Sequence, residues 1–201
     1  MTNIIKKILC IICALTLCVS FVGCGEKDST NNTELLSGKH HAEITVKDMG
    51  VIKLELDADA APITVTNFVN LAKDGFYDGL TFHRVIKGFM VQGGDPEGNG
   101  TGGSGKDIIG EFAANGYNNP ILHTRGVISM ARANDPNSAS SQFFIMHADA
   151  THLDGMYAAF GKVTKGMDIV DKIAEETPVI DDNGTVQTGA KPVIESIKIT
   201  D

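Results

Sequence analysis

All four cysteines of this 201-residue chain, Cys10, Cys13, Cys18 and Cys24, fall within its first 24 residues. Beyond Cys24 the chain can form neither an internal disulfide nor a thiolate-held metal site, so whatever folds there is held by an apolar core. The material for one is present: 42% of the residues are hydrophobic and 21% charged, and no repeat period runs through the sequence. The length suits one domain with an extension. Cys10-x-x-Cys13 has the spacing of a redox pair, but it sits inside an apolar run with no βαβ context around it.

That run belongs to a targeting segment. Lys6 and Lys7 precede an apolar stretch from Ile8 to Val22, interrupted only by Thr16 and Ser20, and small Gly23 then precedes Cys24. The arrangement resembles a bacterial lipoprotein signal peptide, with Phe21 where leucine is usual. The resemblance implies removal of residues 1–23 and a lipid on Cys24, which would be the contact with the membrane. A cleaved secretory signal or an uncleaved anchor is the alternative, and the anchor would leave the same topology. The expected location is extracytoplasmic, lipid-anchored to the bacterial cell membrane. Losing residues 1–23 removes two of the 17 basic residues and none of the 25 acidic ones, which takes the net charge from −8 to −10. Such a surface is repelled by anionic headgroups and has no general attraction for nucleic acid, so no nucleic-acid partner is expected. Residues 24–39 turn polar (Glu26, Lys27, Asp28, Ser29, Thr30, Asn31, Asn32, Thr33) and read as a flexible tether. The folded unit is then residues 40–201, and nothing in it argues against a monomer.

Within that unit short alternating segments dominate. Ile44 and Val46 share one face, Lys47-Asp48-Met49-Gly50 reads as a turn, and Ile52, Leu54 and Leu56 share the next face, which together predict a hairpin. Pro62 opens a helical pattern carried by Phe68, Leu71 and Ala72, with Gly75 as its stop. A second helix is predicted from Met167 to Glu176, with Ile169, Val170, Ile173 and Ala174 inward and Pro178 beyond its end. Further strands are predicted at 81–85, 127–130, 143–147, 158–163 and 193–199. Many short strands with two helices point to a barrel or a sandwich.

The most specific window is Phe82-His83-Arg84-Val85-Ile86-Lys87-Gly88-Phe89-Met90-Val91-Gln92-Gly93-Gly94-Asp95. Gly100-Thr101-Gly102-Gly103, Ser129-Met130-Ala131-Arg132-Ala133, Ser141-Gln142-Phe143-Phe144-Ile145, Leu153-Asp154-Gly155 and Phe160-Gly161-Lys162-Val163 come after it in order. Together they resemble the cyclophilin-type peptidyl-prolyl isomerases, over essentially residues 41–201. The resemblance implies a mainly β fold, a closed eight-stranded antiparallel β-barrel with two capping α-helices. It also implies an enzyme that accelerates X-Pro isomerisation in exported proteins and so assists their folding. Its partners would be proline-containing peptides and unfolded exported proteins. The reaction breaks no bond, so no cofactor and no metal are expected.

By the same resemblance Arg84 is the catalytic guanidinium, and Phe89, Met90, Phe144 and Leu153 line the proline pocket. Gln92 and Gln142 would position the substrate, Ala131, Arg132 and Ala133 would pair with its backbone, and Gly100 would leave room beside it. The chain departs from the pattern at three of these sites. Tyr157 replaces a pocket histidine, while His152 stands where Trp or Phe is common and weakens one pocket wall. Arg132 replaces an asparagine, and its charge favours acidic substrates. A different class of function, a non-catalytic proline-peptide binding module or chaperone, would use the same groove without needing Arg84. Other motifs carry less. Gly98-x-Gly100-x-x-Gly103 matches a dinucleotide fingerprint without a βαβ unit, and Asp107 spoils a phosphate loop over Gly100–Lys106. His147, Asp149, His152 and Asp154 match no metal-binding spacing.

Overall fold

A computed structural model describes residues 34–201 of the chain. The expected signal peptide, the lipidation site Cys24 and the first part of the tether lie outside the described residues. Eight strands and two helices run in the order β1 (Lys39–Val46), β2 (Gly50–Asp57), α1 (Pro62–Lys73), β3 (Thr81–Ile86), β4 (Met90–Asp95), β5 (Val127–Met130), β6 (Phe143–Met146), β7 (Ala159–Lys165), α2 (Met167–Glu176) and β8 (Ile194–Ile199). All strand pairs are antiparallel, in the spatial order β3-β4-β6-β5-β7-β2-β1-β8. The sheet curls into a half-barrel.

The expected closed barrel is not what the ladder shows. β3 and β8 are the two ends of the sheet, joined by a single bridge between Thr81 and Val193. Most of the free edge of β3 is taken by a loop segment instead. Val85 N–H donates to Gly184 O at 2.8 Å, and Val186 N–H donates to His83 O at 3.0 Å. That segment satisfies the edge without a ninth strand or a long β3–β8 pairing.

Both helices form for the reasons their sequences give. α1 begins on Pro62, whose missing N–H costs nothing in a first turn, and ends at Lys73 ahead of Gly75 in the left-handed region (φ +69°). α2 starts after Gly166 (φ +90°) and stops before Pro178. Ile169, Val170, Ile173 and Ala174 are its buried face. Inside the curl Phe68 of α1 meets the rings of Tyr77, Phe160 and Phe143 at centroid distances of 5.3, 5.2 and 5.7 Å.

A second apolar cluster decides where a ligand can sit. Met90, Val127, Phe144, Met146 and Leu153 form it, with Phe89, Ala131 and Tyr157 packed against it. Their strand neighbours Val91, Ile128, Phe143 and Ile145 belong to the main core. Successive side chains point to opposite faces. The central strands therefore bury both faces: one fills the core and the other floors a groove outside it.

The alternation pattern does not predict β4. Gly93 and Gly94 dilute its propensity, yet Gly94 is required. It takes φ +82°, and a Cβ there would stand 2.6 Å from Ser141 O.

Candidate active site

A cavity of about 620 Å³ opens over that outer floor. Ten of the expected site residues line it: Arg84, Phe89, Met90, Gln92, Gly100, Ala131, Arg132, Phe144, Leu153 and Tyr157. β3 supplies the arginine, β4 and β6 the apolar floor, and the short helical turn Thr151–Leu153 one wall. Tyr157 closes the floor by meeting Phe144 edge-on, at 5.8 Å and 85°.

Arg84 is held from two sides. Its Nε donates to Asn183 O at 2.8 Å and Nη2 to Asn183 Oδ1 at 3.1 Å, while Nη1 donates to Gln92 Oε1 at 3.2 Å. Burial pushes its pKa down from the ordinary arginine value, and Tyr157 and Asp181 act against that shift. Arginine stays charged under such a perturbation. A guanidinium carries five N–H donors, so three engaged bonds leave two directed elsewhere.

Gln92 extends the chain of contacts. Its Nε2 donates to Gln142 Oε1 at 2.9 Å, and Gln142 Nε2 donates to Gly100 O at 3.1 Å and Gly102 O at 2.8 Å. Gln142 thus stands behind the cavity and ties Gln92 to the glycine loop. That loop is no phosphate cradle, because the carboxylate of Asp95 accepts from the amides of Glu97, Asn99 and Gly100.

Two other expected residues, His152 and Ala133, lie off the lining. His152 is exposed and stacks on Phe89 from outside, at 5.7 Å and 27°. Ala133 spends its N–H on Ser138 Oγ at 3.0 Å, and Ala131 spends its own on Gln142 O at 2.9 Å. Arg132 lines the cavity, but its charge is pinned. The guanidinium carbon lies 4.7 Å from the Tyr157 ring centroid and 5.1 Å from that of Phe112, and its nitrogens donate to Met156 O and Ala133 O. The four residues weighed for a metal are dispersed. His147 accepts from Gly88 N–H, Asp149 from Arg125 N–H, and Asp154 binds His123. No cluster able to hold a metal is found among the described residues.

Sequence reasoning missed three supporting residues. Asn183 is one, delivered to Arg84 by a loop far along the chain. His123 is another, fully buried and stacked nearly flat (18°, 6.0 Å) against Phe144. Its ring is fixed at both nitrogens, by Ser129 Oγ at 3.0 Å and Asp154 Oδ1 at 3.1 Å. The Ser129–His123–Asp154 series looks like a hydrolytic triad, but it is sealed under Phe144 and meets no substrate. Glu111 is the third, at the start of α1. Spacing gives none of these away, because their partners are 6 to 99 residues distant.

Comparison with known proteins fits this geometry. The sequence profile of the family described as "Cyclophilin type peptidyl-prolyl cis-trans isomerase/CLD" matches residues 41–201. The chain belongs to the cyclophilin-type peptidyl-prolyl cis-trans isomerase family. Enzyme class follows from that membership. A peptidyl-prolyl cis-trans isomerase of Helicobacter pylori is 50% identical over 137 residues, 67% of this chain and 81% of the relative. Peptidyl-prolyl cis-trans isomerase B of Bacillus subtilis is 48% identical over 129 residues, 64% of this chain and 87% of the relative. The crystal structure of a cyclophilin-type isomerase from Cryptosporidium parvum superposes with a TM-score of 0.71 at 31% identity, covering 82% of this chain and 99% of that one. A second structure, in the presence of the dipeptide Ala-Pro, gives 0.70 at 32% identity, covering 80% and 99%.

Proposed function

We propose that this cyclophilin turns X-Pro bonds in exported proteins with Arg84 as its catalytic group. The observation that carries the reading is a guanidinium fixed by Gln92 and Asn183 at the border of an apolar floor, with donors to spare. Rotation about a peptide bond meets a barrier of ~18–20 kcal/mol because conjugation must be broken. In the twisted state the prolyl nitrogen regains a lone pair, and a guanidinium N–H can bond to it. Phe89, Met90, Phe144, Leu153 and Tyr157 would hold the ring and exclude water, which strengthens that bond. Lowering the barrier by about 5–7 kcal/mol would give roughly 10⁴–10⁵-fold acceleration.

Ala131 and Ala133 use their amides internally, so alternation leaves Arg132 between them to pair with a substrate backbone. The pinned Arg132 charge would contribute less to acidic selectivity than a free one. The same reading takes the eight strands as a barrel, completed between β3 and β8 by the 181–193 segment. It places the enzyme outside the cytoplasm as a monomer, tethered by lipid on Cys24 through residues 24–39. The apolar run 8–22, its lysines and the Gly23-Cys24 pair support that location.

Two measurements test this. NMR exchange spectroscopy on short X-Pro peptides should show cis–trans exchange accelerated by catalytic amounts of the protein. Binding without acceleration would make the groove a proline-peptide binding module. Mass spectrometry of the membrane-extracted protein should find Cys24 acylated and residues 1–23 gone, whereas an intact N-terminus would overturn the lipoprotein reading.

A further inference from the structure

The cavity is larger than a proline ring requires. Beyond Arg84, away from the apolar floor, it continues along Ile180, Asn183, Thr185, Val186 and Thr188. These residues belong to one hairpin and its exit. Gln187 N–H donates to Pro178 O at 3.0 Å, Ile180 N–H to Thr185 O at 2.9 Å, and Gly184 N–H closes the turn on Asp181 O at 3.1 Å. Val179 and Val186 form a bridge between the arms. The hairpin is also locked to the site, through the two bonds to the β3 edge and the two from Arg84 to Asn183.

On this rigid frame Ile180 is 67% exposed, the most exposed large apolar side chain among the described residues. Leu122 at 57% and Leu35 at 50% come next, and neither lines the cavity, whereas Ile180 does. An isolated exposed Ile on a surface needs no explanation. This one is held in a fixed position at the rim of a substrate groove, continuous with the proline floor. Its neighbours set the chemistry. Asp181 and Asp182 come directly after it at the turn, so an acidic side chain would meet like charge. Lys191 also lines the cavity and donates to Gly98 O, and Arg84 spends three of its donors on Asn183 and Gln92.

We infer that the Pro178–Gln187 hairpin forms a specificity subsite in which Ile180 receives a large apolar side chain flanking the substrate proline. This rests on the isomerase reading above. A leucine-sized side chain would cover Ile180 and release its water, while alanine would fall short of it and aspartate would be repelled.

The experiment compares peptides with Leu, Ala or Asp immediately before the proline, and a second series with the same residues immediately after it. Exchange NMR gives kcat/KM for the full-length protein, for Ile180→Ser and for Ile180→Leu. One flanking position should show a Leu-over-Ala ratio of about five- to tenfold in the wild type, modest because the subsite is an open rim rather than a closed pocket. Ile180→Ser should bring that ratio below about twofold, and Ile180→Leu should keep it. A wild-type ratio near one at both positions, or a preference surviving in Ile180→Ser, would overturn the subsite. If no peptide is turned over at all, the isomerase reading falls by itself. Leu and Ala dissociation constants from titration of the same peptides then decide the subsite by the same comparison.

Discussion

Glu111→Gln probes how a residue 47 positions away starts the first helix. α1 has Ala61 at its N-cap position and no side-chain cap of its own. The Glu111 carboxylate, 1% exposed, does that work. Oε1 accepts from Ile63 N–H at 3.0 Å, and Oε2 accepts from Thr64 N–H and from the Thr64 hydroxyl, both at 2.7 Å. The negative charge also faces the positive end of the helix dipole. Glutamine keeps the shape but turns one acceptor into a donor, so at least one helix N–H loses its partner in a buried place. A hydrogen bond to a charged group contributes about 1.5–3 kcal/mol, and an orphaned buried donor costs about 1–3 kcal/mol. The expected loss is about 3 kcal/mol. For a domain of this size that is roughly 6–12 °C in Tm. Thermal and urea unfolding followed by far-ultraviolet circular dichroism measure it, with the urea midpoint falling at constant m. A loss under about 1 kcal/mol would refute the argument that Glu111 caps the helix.

Two further outcomes are expected. Burial holds the buried imidazoles of His83 and His123 below the ordinary histidine value of 6.5. Between 6.5 and those lower values the unfolded chain binds protons that the native one does not, so stability falls as pH drops below about 6.5. Burial opposes the charge of Asp95, but the amides of Glu97, Gly100 and Asn99 outweigh it and keep its pKa under 3.8. Its contribution is present above 3.8 and is lost as pH falls through the depressed value. Urea midpoints measured from about pH 7 to about pH 3 should fall in both regions, and a midpoint that rises between about pH 7 and pH 5 would contradict the assignment. Asn183→Ala removes the bond from Nη2 to Oδ1, one of the three on Arg84, and leaves the backbone carbonyl in place, so kcat should fall by about three- to tenfold while peptide affinity changes little. A variant that loses affinity and keeps kcat would show that Asn183 binds substrate instead of positioning Arg84.

The edges of the fold were legible and its two-faced centre was not. β1 and β2 alternate because one face is core and the other is wet, so Ile44, Val46, Ile52, Leu54 and Leu56 announce themselves. α2 shows its period for the same reason, and its predicted span, Met167–Glu176, coincides with the observed helix. β5 and β6 are buried at every position. With apolar residues on both faces, periodicity cannot say that Phe143 belongs to the core and Phe144 to the groove. The site residues were legible only through the joint resemblance of several blocks; alone, Arg84 reads as a surface cation and Gln142 as a solvated strand position. The supports Asn183, His123 and Glu111 act across long separations, and a single sequence records no such pairing. The hairpin 178–187 does carry a local signal, Asn183-Gly184 between Val179-Ile180 and Thr185-Val186, but Pro178 at its start reads as the end of α2.

Arg84 is where the account is most exposed to test. Exchange NMR on an X-Pro peptide, with Arg84→Ala beside the wild type, measures turnover, and chemical-shift titration of the same samples measures binding. A charged donor lost from a water-excluded site costs about 10²–10³ in rate. A fall of at least that size is predicted, with the peptide still bound and the fold intact. Exchange within a few-fold of wild type in a folded Arg84→Ala protein would contradict it, and catalysis would then have to come from the apolar groove alone.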